Sequence, residues 1–149
     1  MSNRVEIMHG VNLNTLGSRP VEIYGSFTLA ELESEISGFA RELGLEVSFM
    51  QTNHEGAFCE RLQRAPEMAD ALIVNAGAWT HYSYAIRDAL EVAGLPTVEV
   101  HISDIENREP WRRESVIRDL CFATIAGKGI DGYREALQLL KAKLDEARE

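Results

Sequence analysis

The chain has 149 residues, enough for one domain spanning 1–149 that buries about two-thirds of the surface its unfolded form would expose. With 45% hydrophobic and 26% charged residues, no apolar run of about 18 residues and no signal-peptide pattern, a cytoplasmic globular protein that does not engage membranes is expected. A formal net charge of -9 argues against a broad nucleic-acid or anionic-membrane surface, while leaving room for a local cationic pocket that takes a small anion.

The first element in chain order is a strand at Val5–Met8, a short apolar run. After it, Asn12 to Gly25 forms a polar, Gly-punctuated loop with no strand or helix period. A helix follows: Leu29, Leu32, Ile36, Phe39 and Leu43 share one face, with a Thr28-x-x-Glu31 capping box before it and Gly44 after it. Leu45, Val47 and Phe49 alternate as a second strand, and Phe58 and Leu62 mark a short helix. Ala71–Val74 and Thr97–Val100 are continuous apolar runs suited to central parallel strands, and Leu120–Ile125 is a fifth candidate. Between and after them, Ala85, Ile86, Ala89, Leu90 and Ala93 predict a helix ending before Gly94 and Pro96, while Tyr133, Leu137, Leu140 and Leu144 predict a C-terminal one. Strand and helix alternate from end to end. Right-handed crossovers then give a doubly wound α/β sandwich of three layers, with a five-stranded parallel sheet in the middle.

Ligands of such sheets sit beyond the carboxyl ends of the strands. Four polar clusters lie at that edge: the loop after His9, Gln51–Gly56, Asn75–Ser83 and Glu99–Arg108. Glu99 and His101 are two apart on a strand, so they leave the same face and the carboxylate can orient the imidazole. An incidental pair at a strand end is the plainer alternative. Arg108, Arg112 and Arg113 follow closely, either as a cationic surface or as bidentate partners for a carboxylate. Tyr24 lies five residues after Arg19. A phenol that serves as a base near neutrality needs its phenolate stabilised, which nearby arginines supply; without them, packing or a surface hydrogen bond explains a loop tyrosine.

Other motifs carry less. Gly127-Lys-Gly-Ile-Asp-Gly132 matches G-x-G-x-x-G, but the residues after it form a helix with no second strand for a ribose-binding acid, so turn glycines are expected. His9, His54, His81 and His101 lack zinc-site spacing, and no metal is expected. Cys59 and Cys121 stand alone and read as buried or half-buried thiols rather than a disulfide.

Taken together, Asn12-Leu-Asn-x-Leu-Gly-x-Arg19-x4-Tyr24-Gly25, Gln51-Thr-Asn-His-Glu-Gly56, Asn75-x-Gly-Ala-x-Thr-His81-x-Ser83, Arg87-Asp88-Ala89-Leu90 and Val98-Glu-Val-His-Ile-Ser103 with Arg108-Glu109 closely resemble the signature blocks of type II 3-dehydroquinate dehydratases. The resemblance runs from about residue 4 to Tyr133. It implies a flavodoxin-like fold and a cofactor-free anti elimination of water from 3-dehydroquinate through an enolate, in a homododecamer built as a tetramer of trimers. By that resemblance Tyr24 is the base, Arg19 and Arg108 stabilise its phenolate, and Asn12 holds a water at the ketone oxygen. His101, oriented by Glu99, is the general acid. Ile102 and Ser103 take the substrate carboxylate, Asn75, His81 and Arg112 the ring hydroxyls and carboxylate side, and Asp88 reaches in from a neighbouring subunit. The route would serve the shikimate pathway, toward chorismate and aromatic amino acids, or quinate breakdown.

The residues also bear on the other dehydroquinase chemistry, an imine on lysine. Only Lys128, Lys141 and Lys143 exist, and none lies in the polar clusters. Val11, Pro20 with Val21, Ala76, Trp79 and Tyr82 depart from the residues usual in the family. Two other readings are a flavodoxin-like binding module without turnover and a lyase or isomerase on a related cyclic hydroxy-keto acid, the latter suggested by Trp79 and Tyr82 near the expected pocket.

Overall fold

The computed structural model describes residues 2–148. Five parallel strands, β1 (Arg4–His9), β2 (Glu46–Gln51), β3 (Ala71–Asn75), β4 (Thr97–His101) and β5 (Ala123–Ala126), pair in the order β2-β1-β3-β4-β5. That is the flavodoxin-like order, whose direction of winding reverses between β1 and β3. The expected five-stranded parallel sheet is therefore present. Its fifth strand starts later than the apolar run suggested, because Arg118–Leu120 closes a 3-10 turn and Phe122 is exposed.

Side-chain alternation divides the apolar residues of the sheet between two cores. Val5 and Ile7 of β1, Ile73 of β3 and Val98 and Val100 of β4 pack with α2 (Leu29–Leu43) and α5 (Asp131–Ala147) on one face. Met8, Leu72 and Val74 pack with α3 (Glu55–Met68) and α4 (Tyr84–Ala93) on the other. Each large aliphatic side chain buried this way stabilises the fold by about 1.5–3 kcal/mol. The capping box of α2 is formed in both directions, Glu31 N–H to Thr28 Oγ1 at 3.1 Å and Thr28 N–H to Glu31 Oε1 at 3.0 Å.

Two further elements differ from the sequence reading. The helix around Phe58 runs for 14 residues, with Pro66 accommodated in its last turn, where the missing N–H costs a single bond to the preceding turn. The loop after β1 is not featureless: Leu13–Thr15 forms a 3-10 turn and Val21–Tyr24 a one-turn helix, α1.

The ends of β1 and β3 touch. Gly10 N–H donates to the Asn75 carbonyl at 2.7 Å, and a Cβ on Gly10 would fall 2.3 Å from the Ala76 oxygen. Gly77, with φ +64°, would place its Cβ 2.6 Å from the Val11 oxygen. Only glycine allows both approaches. They bring the loops after β1 and β3 together at the point where the winding reverses.

Candidate active site

An open pocket of about 550 Å3, its solvent-filled mouth included, lies over the carboxyl ends of β1, β3 and β4. Its lining includes ten of the twelve residues singled out from the sequence: Asn12, Arg19, Tyr24, Asn75, His81, His101, Ile102, Ser103, Arg108 and Arg112. Glu99 lies behind His101. Asp88 is exposed on α4 and does not reach the pocket of its own chain.

The phenol of Tyr24 is buried at the end of α1. Nη1 of Arg108 donates to its oxygen at 2.7 Å and to Ser103 Oγ at 3.2 Å. Arg19 approaches the same ring from its face, with the guanidinium carbon 4.0 Å from the centroid. Arg108 therefore meets the oxygen, with its guanidinium carbon 5.1 Å from the ring centroid, whereas Arg19 meets the π face alone.

On the other side of the sheet edge, His101 Nε2 and Glu99 Oε2 are 2.5 Å apart. Glu99 is fully buried in β4, and its second oxygen accepts from Ser115 Oγ at 3.0 Å, with Thr124 Oγ1 at 3.5 Å. Both carboxyl oxygens of Glu99 thus have partners, one of them the imidazole of His101. His81 stacks on His101 with centroids 6.3 Å apart, and its Nδ1 donates to the Glu114 carbonyl at 2.6 Å. Burial keeps the His81 pKa below its ordinary value, against the opposing pull of that carbonyl. A neutral ring whose Nδ1 bears the proton leaves Nε2 as an acceptor.

Asn75 Oδ1 accepts from Gly77 N–H at 3.2 Å and its Nδ2 donates to the buried Tyr133 hydroxyl at 3.4 Å. The amide orientation follows from these two partners, leaving one N–H free. Asn12 adopts a left-handed backbone, φ 69°, and its N–H donates to Asn53 Oδ1 at 2.8 Å. Arg112 pairs with Glu109 at 2.9 Å, and Trp111 meets the His81 ring edge-on at 5.2 Å.

Several sequence expectations are refined. The Gln51–Gly56 cluster does not line the pocket; Gln51 Nε2 donates to the Gly10 carbonyl and to Asn53, so this cluster braces the Asn12 loop from behind. Trp79 turns into the core against Phe58, and Tyr82 is exposed outside the pocket. The reason for considering a different cyclic acid thus falls away. Gly127 and Gly129 form a turn that donates to the Ser103 and Ile102 carbonyls, fixing the strand end. No lysine lines the pocket, and Lys128 is paired with Glu135. No group of three or more His, Cys, Asp or Glu suited to a metal ion occurs among the described residues. Both cysteines are half-buried.

The sequence model of the family Dehydroquinase class II matches residues 3–141. The chain belongs to the class II dehydroquinase family. It is 48% identical over 143 residues to the 3-dehydroquinate dehydratase of Thermotoga maritima, covering 96% of this chain and 98% of that one. Among solved structures, the type II dehydroquinase of Butyrivibrio crossotus superposes with a TM-score of 0.89 at 40% identity, covering 93% of this chain and 97% of the other. The Propionibacterium acnes type II dehydroquinase gives the same TM-score at 39% identity, covering 95% and 98%. These dehydroquinases share the sheet described above and match it over nearly their whole length. No helix among the described residues is long and apolar enough to cross a membrane.

Proposed function

We propose that this dehydroquinase is a 3-dehydroquinate dehydratase, a hydro-lyase that converts 3-dehydroquinate to 3-dehydroshikimate in the shikimate pathway. The observation that carries the reading is a phenol held by Arg108 and an imidazole held by Glu99, both lining one cationic pocket.

Tyr24, as phenolate, removes a proton from the carbon next to the ketone, and the electron pair passes to the ketone oxygen as an enolate. Asn12, through a water held by its amide, stabilises that oxygen as an oxyanion hole does. The enolate then expels the ring hydroxyl, which leaves as water with a proton from His101. Product release leaves Tyr24 protonated and His101 neutral, and exchange with solvent restores both. No cofactor enters this sequence. Ile102 and Ser103 receive the substrate carboxylate, Arg112 supplies positive charge beside it, and Asn75 and His81 meet the ring hydroxyls. Asp88 completes the site from a neighbouring subunit, in a homododecamer made of four trimers.

The experiment is a mixture of purified protein and 3-dehydroquinate, without added metal or cofactor, followed by ultraviolet absorbance. Growth of the conjugated-enone band, unaffected by borohydride treatment in the presence of substrate, is the expected result. A folded, oligomeric sample that gives no band would sink the reading, and loss of activity to borohydride would replace the enolate with an imine.

A further inference from the structure

Residues 114–117 connect the 3-10 turn Pro110–Arg113 to the one at Arg118–Leu120 and contain no residue that lines the pocket. Two consecutive residues of this strap nevertheless hold both pocket histidines from behind. The Glu114 carbonyl accepts from His81 Nδ1 at 2.6 Å, and Ser115 Oγ donates to Glu99 Oε1 at 3.0 Å while Glu99 Oε2 meets His101.

The strap itself is anchored. Val116 N–H donates to the Thr80 carbonyl at 2.9 Å, Arg87 Nη1 donates to the Val116 carbonyl at 2.8 Å, and Ile117 is fully buried. Arg87 is fixed in turn by a two-point pairing with Asp119. The direction of the Ser115 hydroxyl is also set. It accepts from Ile117 N–H at 3.4 Å, which leaves its proton for the carboxylate.

We propose that Ser115 is a positioning residue for His101, acting through Glu99. The inference rests on His101 being the general acid of the proposed dehydration. A buried carboxylate with one oxygen on an imidazole can still rotate about its last torsion. A second donor at the other oxygen removes that freedom and fixes the plane in which the imidazole is held. Among the described residues the one other donor to Oε1, Thr124, is at 3.5 Å, at the limit of a hydrogen bond. The nearby Cys121 thiol does not compete as a charge, since burial pushes it up to about 12.

The test compares wild type, Ser115→Ala and Ser115→Thr. With 3-dehydroquinate, Ser115→Ala should lose about ten- to hundredfold in kcat, the cost of a hydrogen bond to a charged group, with KM within about twofold. Exchange of the proton next to the ketone should continue near the wild-type rate, because that step belongs to Tyr24. Ser115→Thr, which keeps the hydroxyl, should recover most of kcat. Proton NMR of the His101 ring N–H supplies a readout independent of turnover: its far-downfield signal should move or broaden in Ser115→Ala and return in Ser115→Thr. An active wild type with an equally active Ser115→Ala, or an unchanged ring signal, overturns the proposal. An inactive wild type instead removes the dehydratase reading, and the ring signal alone then decides whether Ser115 positions His101.

Discussion

Arg108 and Tyr24 are 84 residues apart in sequence, yet Nη1 of one lies 2.7 Å from the hydroxyl of the other. Arg19, five residues from Tyr24, meets only the face of the ring. The two arginines are therefore unequal. Arg108→Gln should lower kcat by about ten- to hundredfold, as for a lost charge-assisted hydrogen bond, and Arg19→Gln by less, on the scale of about 0.5–2 kcal/mol for a cation over a ring. Steady-state kinetics of both variants checks the order, and a larger loss in Arg19→Gln would reverse the assignment.

Tyr24→Phe keeps the ring under Arg19 and removes the base. Turnover should fall by at least about a hundredfold, and adding Arg108→Gln should cost little more, because the two act as one unit. Additive losses in the double variant would show that Arg108 works elsewhere.

His101→Ala should block dehydration while leaving proton exchange next to the ketone intact, since the acid acts in the second step. The measurement is loss of label from substrate incubated in deuterated buffer, beside enone formation. If exchange stops as well, His101 takes part in the first step.

Asp88 is exposed on α4 beside Tyr84, which is 71% exposed. Should a neighbouring subunit receive it, activity per chain must fall on dilution as the assembly dissociates. Asp88→Ala should raise KM while changing the unfolding free energy by no more than about 0.5 kcal/mol. Sedimentation run alongside activity checks both, and a monomer with full activity would sink the role.

Alkaline stability follows from two acids, the half-buried Cys121 thiol and the fully buried Tyr133 phenol. Burial pushes the Cys121 thiol from 9.0 up to about 12 and the Tyr133 phenol from 10.0 up to about 12. Raised folded values mean that the neutral forms belong to the native state. Their contribution is complete below the unfolded values and is lost as pH rises from about 9 for Cys121 and 10 for Tyr133 toward 12. Within each window every pH unit removes about 1.4 kcal/mol per group. Urea unfolding at a series of pH values should show this decline, with a shallower slope in Cys121→Ala; identical slopes would remove Cys121 from the account.

Much of this was legible because its causes are local. Apolar runs marked the strands, Thr28 and Glu31 marked the start of α2, and the two-residue spacing of Glu99 and His101 placed them on one face. What escaped was set by distant contacts. Leu120 has the hydrophobicity of a strand residue, but the turn at Arg118–Leu120 uses it before β5 begins. Polar Glu55 and Gly56, with Pro66 later, concealed the length of α3. Gln51 and Asn53 looked like site residues because they are polar and lie past a strand, although their partners are backbone and loop amides. Ser115 gave no local signal, since its role depends on a carboxylate 16 residues earlier.

The separation between partners has a consequence for how the molecule acquires its activity. Tyr24 waits for Arg108, Asn75 for Tyr133 in the last helix, and Asn12 for Asn53. Helices such as α2 form from neighbouring residues, whereas contacts between distant segments pay for long loop closures and arrive slowly. A chain regaining its native state from denaturant will thus recover helical circular dichroism before it recovers turnover, and the interval between the two measures the time taken to close the pocket.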